Sequence, residues 1–252
     1  MNKKVKEAAR LIRKSKFTTA FTGAGISVES GIPSFRGDDG LWTKYDPRVL
    51  EISYFKEHPA ASWKVIREIF YDHFGNAKPN KAHQVLARME KHELLARIIT
   101  QNIDNLHQEA GSKMVYEFHG NCRNLQCLNC GTTYHAGEIV LDVLPPRCRQ
   151  CGGVLKPGFV FFGESIPVHP LNAAYEAASI SDVFLIIGTT GEVAPANQIP
   201  FLARANGASI IEINTIESNY TGTITDIFLQ GKASEMMEKL EKELFAPSLD
   251  NY

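Results

Sequence analysis

The chain has 252 residues, of which 44% are apolar and 22% charged, and its formal net charge is −1. This apolar content excludes a disordered chain, and the balanced charge argues against a dedicated nucleic-acid binder. At roughly 100–200 residues per domain, the length predicts one large domain, or one large and one small domain. No apolar run is long enough for a membrane span and no apolar leader follows Met1, so we expect a cytoplasmic protein with no membrane partner.

The spacing of apolar residues predicts elements along most of the chain. Helical periodicity predicts helices over residues 3–15, 57–74, 80–91 and 232–245. Short apolar runs predict strands over residues 17–22, 97–100, 115–118, 158–162, 183–187 and 209–213. Strands that are apolar throughout and alternate with helices indicate an α/β fold, with a parallel sheet covered on both faces. Ligands of such sheets bind at the carboxyl ends of the strands.

Small and polar residues stand at these predicted strand ends. Gly23-Ala24-Gly25 would let the backbone approach a pyrophosphate, although a plain tight turn also fits. The segment 101–104 offers amide and carboxylate groups for a ribose and a carboxamide, or an Asx turn that caps a helix. His119 is a candidate general base or a structural histidine. Val28 replaces the third glycine of the dinucleotide fingerprint, which argues against a hydride-transferring dehydrogenase.

Four of the five cysteines form two C-x2-C pairs that are 17 residues apart, namely Cys127, Cys130, Cys148 and Cys151. This spacing is typical of a zinc ribbon, whereas cysteines buried in a core need no paired spacing. Four protein ligands leave no open position on the metal, so we expect a structural Zn²⁺ and catalysis elsewhere. The fifth cysteine, Cys122, is expected to be an ordinary thiol.

Together these motifs resemble the sirtuin family of NAD-dependent protein lysine deacylases, in the family's order and over almost the whole chain. The matching segments are residues 23–37, 40–42, 100–111, 119–120, the cysteine pairs, 161–164, 188–190, 213–214 and 231–233. The resemblance implies a Rossmann-like parallel sheet with helices on both faces, plus a small domain made of a zinc-ribbon module and a helical insertion. It assigns the NAD-binding domain to 1–40, 81–121 and 157–252, the helical insertion to 41–80 and the four-cysteine zinc module to 122–156. At positions 34 and 191 the chain has Ser34 and Gly191, which resemble the residues of the family's prokaryotic type.

The resemblance also implies a reaction. In sirtuins the acyl oxygen attacks C1′ of the nicotinamide ribose, nicotinamide leaves, and an alkylamidate forms. His119 would act as the base on the ribose hydroxyls, with Asn102 as a second catalytic residue, and the products would be lysine, nicotinamide and O-acyl-ADP-ribose. NAD and one structural Zn²⁺ are the implied cofactors, and the implied partner is an acyl-lysine protein or peptide, with no nucleic acid and no oligomer.

Two other functions remain open from the sequence. A sirtuin-like mono-ADP-ribosyltransferase would use the same cofactor and a different acceptor. A non-catalytic zinc-ribbon binding module would need a basic or aromatic face on 122–156, a stretch with four lysines and arginines and a single aromatic residue, Tyr134.

Motif positions also imply individual contacts. The residues implied to bind NAD are Gly23, Ala24, Gly25, Ile26, Phe35, Arg36, Trp42, Gln101, Asn102, Ile103, Asp104, Gly188, Thr189, Thr190, Asn214, Thr215, Ile216 and Ala233. Those implied to bind the acyl-lysine are Ile66, Ile69, Val160, Phe162, Gly163, Glu164 and Val193. The two isoleucines lie three and six residues after Trp63, where desuccinylases of the family carry a Tyr-x-x-Arg pair. Isoleucines would leave a buried succinyl carboxylate unpaired, so we expect acetyl or longer neutral acyl groups to be preferred over succinyl or malonyl.

Overall fold

The computed structural model describes residues 2–34, 40–73 and 77–246. The strands are β1 (Thr18–Thr22), β2 (Arg97–Thr100), β3 (Val115–Glu117), β4 (Gly120–Cys127), β5 (Thr133–His135), β6 (Leu155–Phe159), β7 (Val183–Ile187), β8 (Ser209–Asn214) and β9 (Ile227–Gln230). The α-helices are α1 (Asn2–Lys14), α2 (Ile52–Glu57), α3 (Pro59–Ile66), α4 (Lys81–Lys91), α5 (Leu106–Glu109), α6 (Val168–Ile180), α7 (Ile199–Ala205) and α8 (Ala233–Leu244). Within these ranges no helix combines the length and apolarity needed to cross a membrane.

The larger sheet is parallel and has the strand order β3-β2-β1-β7-β8-β9. Its central strands β1 and β7 are buried along their whole length, because helices cover both faces. On one face, α1, α4 and α8 pack apolar residues such as Ile12, Leu86 and Leu240 against the sheet. On the other face, α6 and α7 contribute Ala174, Ala178 and Ile199. The predicted α/β fold with a doubly covered parallel sheet is confirmed.

A smaller antiparallel sheet, β5-β4-β6, carries the cysteine pairs near its ends. It shares an apolar core with the preceding helical segment, in which Trp63, Phe55 and Leu155 are fully buried. The Trp63 indole Nε1 donates a 2.7 Å hydrogen bond to the Leu155 carbonyl, which ties α3 to β6. The helical insertion and the cysteine module therefore pack as neighbours, while the exact domain boundaries stay a prediction.

Two predicted elements differ from those in the structure. The strand expected over 158–162 is β6 at Leu155–Phe159, because the antiparallel pairing with β4 begins before the apolar run. The long helix expected over 57–74 is broken at His58, where Pro59 begins α3, and it continues beyond Ile66 as a π-helix over Arg67–His73. A π-helix bonds residue i to i+5, so its faces do not follow the 3.6-residue periodicity.

Candidate active site

The carboxyl ends of β1, β2, β7 and β8 meet at a cavity of about 710 Å³, closed on its other side by residues 159–164. The predicted site residues that line it are Gly23, Ala24, Gly25, Trp42, Gln101, Asn102, Ile103, His119, Val160, Phe162, Gly163, Glu164, Gly188, Thr189, Thr190, Val193, Asn214, Thr215, Ile216 and Ala233. These positions come from separate motifs along the chain. The structure brings them together because parallel strands present their carboxyl ends at one edge of the sheet.

Some predicted NAD contacts lie elsewhere. Ile26 is fully buried behind the glycine turn, so its side chain supports the turn instead of lining the cavity. Asp104 stands one layer behind the cavity wall, where it accepts hydrogen bonds from its neighbours. Phe35 and Arg36 lie outside the described residues.

The glycine turn after β1 packs tightly against the end of β7. The Gly25 amide donates a 2.8 Å hydrogen bond to the Gly188 carbonyl, and the Gly23 amide donates to Ile187 at 3.0 Å. A Cβ atom on Gly25 would lie 2.7 Å from the Gly188 Cα, closer than any real contact. Glycine is therefore required here so that the two strand ends can approach each other.

A hydrogen-bonded network fixes Asn102 at the floor of the cavity. Its side-chain Nδ2 donates to the Gly23 carbonyl at 3.2 Å and to the Ser27 hydroxyl at 3.1 Å. The Ser27 hydroxyl donates in turn to Asp104 Oδ2 at 2.6 Å. Burial raises the pKa of Asp104, while the hydrogen bond from Ser27 acts in the opposite direction. The Asn102 amide is thus held in one orientation, with its remaining polar capacity available to a ligand.

His119 lies on the cavity wall, two residues after the end of β3. Its Nδ1 lies 3.1 Å from the Gln101 carbonyl, which only accepts hydrogen bonds, so Nδ1 carries the proton and Nε2 is the free base. Burial lowers the pKa of His119, and the bond to Gln101 partly opposes this. The imidazole is therefore neutral near pH 7, oriented by the backbone, and suited to accept a proton through Nε2.

The opposite wall is apolar and corrects one prediction. Ile66 and Ile69 do not line the cavity, because both are buried in the core around Trp63. Ile66 lies in α3 together with Trp63 and packs in the same core, whereas in the π-helix that follows Phe70, not Ile69, lines the cavity. Phe70 packs against Phe159, with ring centroids 5.1 Å apart.

Sequence reasoning also missed other lining residues. These include Val28, Glu29, Leu50, Ile166, Pro195 and Lys232. Val28, Glu29 and Lys232 stand inside matching segments but were given no role, and the others stand in loops or short turns where no periodic or spacing signal marks them. Among the lining residues in the described part of the chain, Lys232 is the only lysine or arginine.

The four paired cysteines converge as predicted. Their Sγ atoms lie within 4.8 Å of one another, and the distances are 3.5 Å for Cys127–Cys151 and 3.6 Å for Cys130–Cys148. Tetrahedral zinc with Zn–S bonds of about 2.3 Å separates its sulfurs by about 3.8 Å, so the cluster fits one Zn²⁺. A hydrogen bond from the Tyr134 hydroxyl lowers the pKa of Cys148 to about 6, which favours the thiolate that zinc requires.

Two buried histidines lie beneath the site. His107 Nε2 is 2.9 Å from the Thr22 hydroxyl, and the His107 and His83 rings meet edge to face with centroids 4.9 Å apart. Burial lowers the pKa of His83 to about 4 and lowers that of His107 well below its usual range. Both are therefore neutral in the folded protein.

These histidines should make the fold acid-sensitive. An unfolded histidine binds a proton below about pH 6.5, whereas folded His83 resists protonation down to about 4, so stability is lost as pH falls through this window. We expect His83 alone to reduce the unfolding free energy by about 2 kcal/mol between pH 7 and pH 5. Urea unfolding at both pH values should show a smaller difference for His83→Gln. The exposed His58→Gln variant serves as the control, and an equal pH dependence in His83→Gln and wild type would contradict the prediction.

Comparisons with known proteins agree with this geometry. The model of the Sir2 family matches residues 23–195. A protein of Aeropyrum pernix named NAD-dependent protein deacylase is 44% identical over 244 residues, covering 94% of this chain and 96% of its own length. A solved structure of a Sir2 enzyme, 42% identical, superposes with a TM-score of 0.89 and covers 97% of this chain and 98% of its own. A Sir2 variant solved with a deacetylated peptide and 3′-O-acetyl-ADP-ribose is 33% identical, with a TM-score of 0.90 and coverage of 95% and 98%.

Proposed function

Because the chain belongs to the Sir2 family, we propose that it removes acyl groups from protein lysine side chains in an NAD-dependent reaction. The observation that carries the proposal is the position of His119. This oriented neutral base stands between the polar strand ends and the apolar segment 159–162, within one cavity. The relative's name and the acetyl-ADP-ribose complex of a related structure support deacylation over mono-ADP-ribosyl transfer.

The roles of the site residues follow from their chemistry. When bound, NAD supplies a cationic nicotinamide leaving group at its ribose. The glycine turn at the end of β1 would lie along the pyrophosphate. Gly188, Thr189 and Asn214, at the ends of β7 and β8, would hold the adenosine half. Asn102 would orient the ribose and carboxamide, and His119 Nε2 would take a proton from a ribose hydroxyl. The apolar segment 159–162 would exclude water, which otherwise hydrolyses NAD.

The cysteine cluster would hold one Zn²⁺ as a structural ion, since all four coordination positions are filled by protein. Its reduced thiols support the further proposal that the protein works in the cytoplasm, where thiols stay reduced. That the enzyme is a monomer and binds no nucleic acid stays a prediction. Sedimentation analysis of the zinc-loaded protein tests the first of these.

An acyl-lysine peptide incubated with NAD and the zinc-loaded enzyme tests the proposed function directly. Mass spectrometry should detect equal amounts of nicotinamide, free-lysine peptide and O-acyl-ADP-ribose. Labelled ADP-ribose attached to protein, without O-acyl-ADP-ribose, would favour the transferase. Formation of NADH would indicate a dehydrogenase.

The choice of acyl group gives a second expected result. The wall formed by Leu50, Phe70 and Phe159 is apolar, so a succinyl carboxylate placed there would be buried without a cation from the described residues of that wall. Such burial costs several kcal/mol, and each 1.4 kcal/mol corresponds to a factor of ten. We therefore expect kcat/KM for an acetyl-lysine peptide to exceed that for its succinyl counterpart by roughly 100-fold.

A pentanoyl-lysine peptide is the matched control, because pentanoyl resembles succinyl in length and lacks its charge. It should be hydrolysed much faster than the succinyl peptide. If succinyl were removed as fast as pentanoyl, an unrecognised cation would have to face the acyl group and the prediction would be wrong.

A further inference from the structure

A buried lysine lies directly behind the apolar wall of the cavity. Lys156 belongs to β6 and is only 7% exposed, although lysine is rarely buried without a partner. Its Nζ donates to the Phe159 carbonyl at 2.7 Å and to the Pro157 carbonyl at 3.0 Å. It also forms a 2.9 Å ion pair with Glu164 Oε2. These three acceptors match the three N–H donors of an ammonium group, so its hydrogen-bonding capacity is fully used.

The partners of Lys156 belong to the segment that forms the wall. Glu164 Oε2 also accepts the Phe161 amide at 2.8 Å, and the Glu164 amide donates back to the Phe161 carbonyl at 3.0 Å. The Phe161 ring stands over the ammonium at 4.3 Å from its centroid, a cation–π contact. The ammonium therefore lies at the centre of a closed loop, residues 157–164, and contacts both ends of it.

This loop is connected to the catalytic base and to the opposite side of the cavity entrance. The Val160 amide donates to the His119 carbonyl at 2.8 Å. The Phe162 amide donates to the Leu50 carbonyl at 2.8 Å, and Phe162 accepts from Ile52 at 3.0 Å. All four residues of the segment 159–162 line the cavity, so a shift of the loop would move the acyl-lysine wall relative to His119.

We propose that Lys156, paired with Glu164, is a positioning residue that holds the 157–164 loop in the conformation that binds acyl-lysine. The proposal rests on the proposed deacylase function and extends it to a residue that touches neither substrate nor cofactor. Because the loop forms the acyl-lysine wall and the NAD contacts lie on the strand ends, loss of Lys156 should weaken peptide binding and leave NAD binding nearly unchanged.

The test compares four zinc-loaded, full-length variants with the wild type: Lys156→Met, Lys156→Arg, Lys156→Gln and Lys239→Met. Lys239 is the matched control, because it forms an exposed ion pair with Glu235 on α8 and does not line the cavity. KM is measured separately for acyl-lysine peptide and for NAD, together with kcat and Tm. Fluorescence anisotropy gives the Kd of a labelled acyl-lysine peptide independently of turnover.

Lys156→Met should raise the peptide KM and Kd roughly tenfold, with the NAD KM within about twofold of wild type. Lys156→Arg, which keeps the charge and donors, should recover most of the peptide affinity, and Lys239→Met should match wild type. The proposal would be overturned if the KM values for peptide and NAD rose equally in proportion to a lower Tm. It would also be overturned if the peptide KM and Kd did not change. If Lys156→Met does not fold, Lys156→Gln decides, since it removes the ammonium, keeps two N–H donors and alters no cavity-lining residue. It should raise the peptide Kd roughly threefold, and an unchanged value counts against the proposal.

The peptide Kd also separates this proposal from the proposed function. If the wild type releases no nicotinamide with any acyl peptide, the deacylase proposal fails. The role of Lys156 is then still decided by whether Lys156→Met loses peptide affinity that Lys156→Arg regains.

Discussion

Replacing His119 with alanine should lower kcat/KM for deacylation by roughly 10³-fold, the range that a positioned general base supplies. The Gln101 carbonyl fixes the proton on Nδ1 and leaves Nε2 free, and no other imidazole lines the cavity within the described residues. The substitution removes no group that we assign to the adenosine half of NAD. We therefore expect the lower kcat/KM to come from a lower kcat, while the Kd for NAD changes little.

The pH profile gives the same test a second readout. Because burial lowers the pKa of His119, the base is neutral at pH 7 and activity should fall only as the pH drops below the usual titration range of histidine. This fall in activity at acidic pH should be absent from the residual activity of His119→Ala. The exposed His169→Ala variant is the control, and it should keep both the wild-type rate and the loss of activity at acidic pH. A His119→Ala enzyme with near-wild-type kcat/KM would show that another group acts as the base.

The sequence predicted the parts of the site that depend on strand ends. The runs that became β1, β2, β7 and β8 are almost wholly buried in the structure, and apolar periodicity reports burial directly. Because the strands are parallel, the small and polar residues that follow them had to meet at one edge of the sheet. The C-x2-C pairs were equally predictable, since a metal fixes the ligand spacing locally.

The parts that the sequence did not predict depend on packing between distant segments. Lys156 interrupts the apolar pattern of β6, so the strand was placed too late, although the buried ammonium is satisfied by the loop that follows. The π-helix after Ile66 places Phe70 at the cavity wall, and no residue type in the sequence predicts where a π-helix forms. Short β9, buried on one side only, gave too weak a pattern for prediction.

Removing a single zinc ligand should have an effect as large as removing the base. Structural zinc contributes on the order of 10 kcal/mol, which is comparable to the entire stability of a typical domain. Cys127 and Cys148 belong to the same buried core as Leu155 and Phe159, so unfolding of the cysteine module would reach the acyl-lysine wall. We expect Cys148→Ala to lose the metal, to unfold at a much lower temperature and to lose nearly all deacylase activity.

Metal content by mass spectrometry, Tm and kcat/KM together check this expectation. Wild-type protein should carry about one zinc per chain, lose activity on dialysis against a chelator and regain it when Zn²⁺ is returned. Cys122→Ala is the matched control, because Cys122 lies outside the cluster of four thiols and should not affect the metal content. If Cys148→Ala lost the metal and kept its activity, the acyl-lysine wall would not depend on the cysteine module. The shared core would then be held by its apolar packing and by the hydrogen bond from Trp63 to Leu155, without the metal.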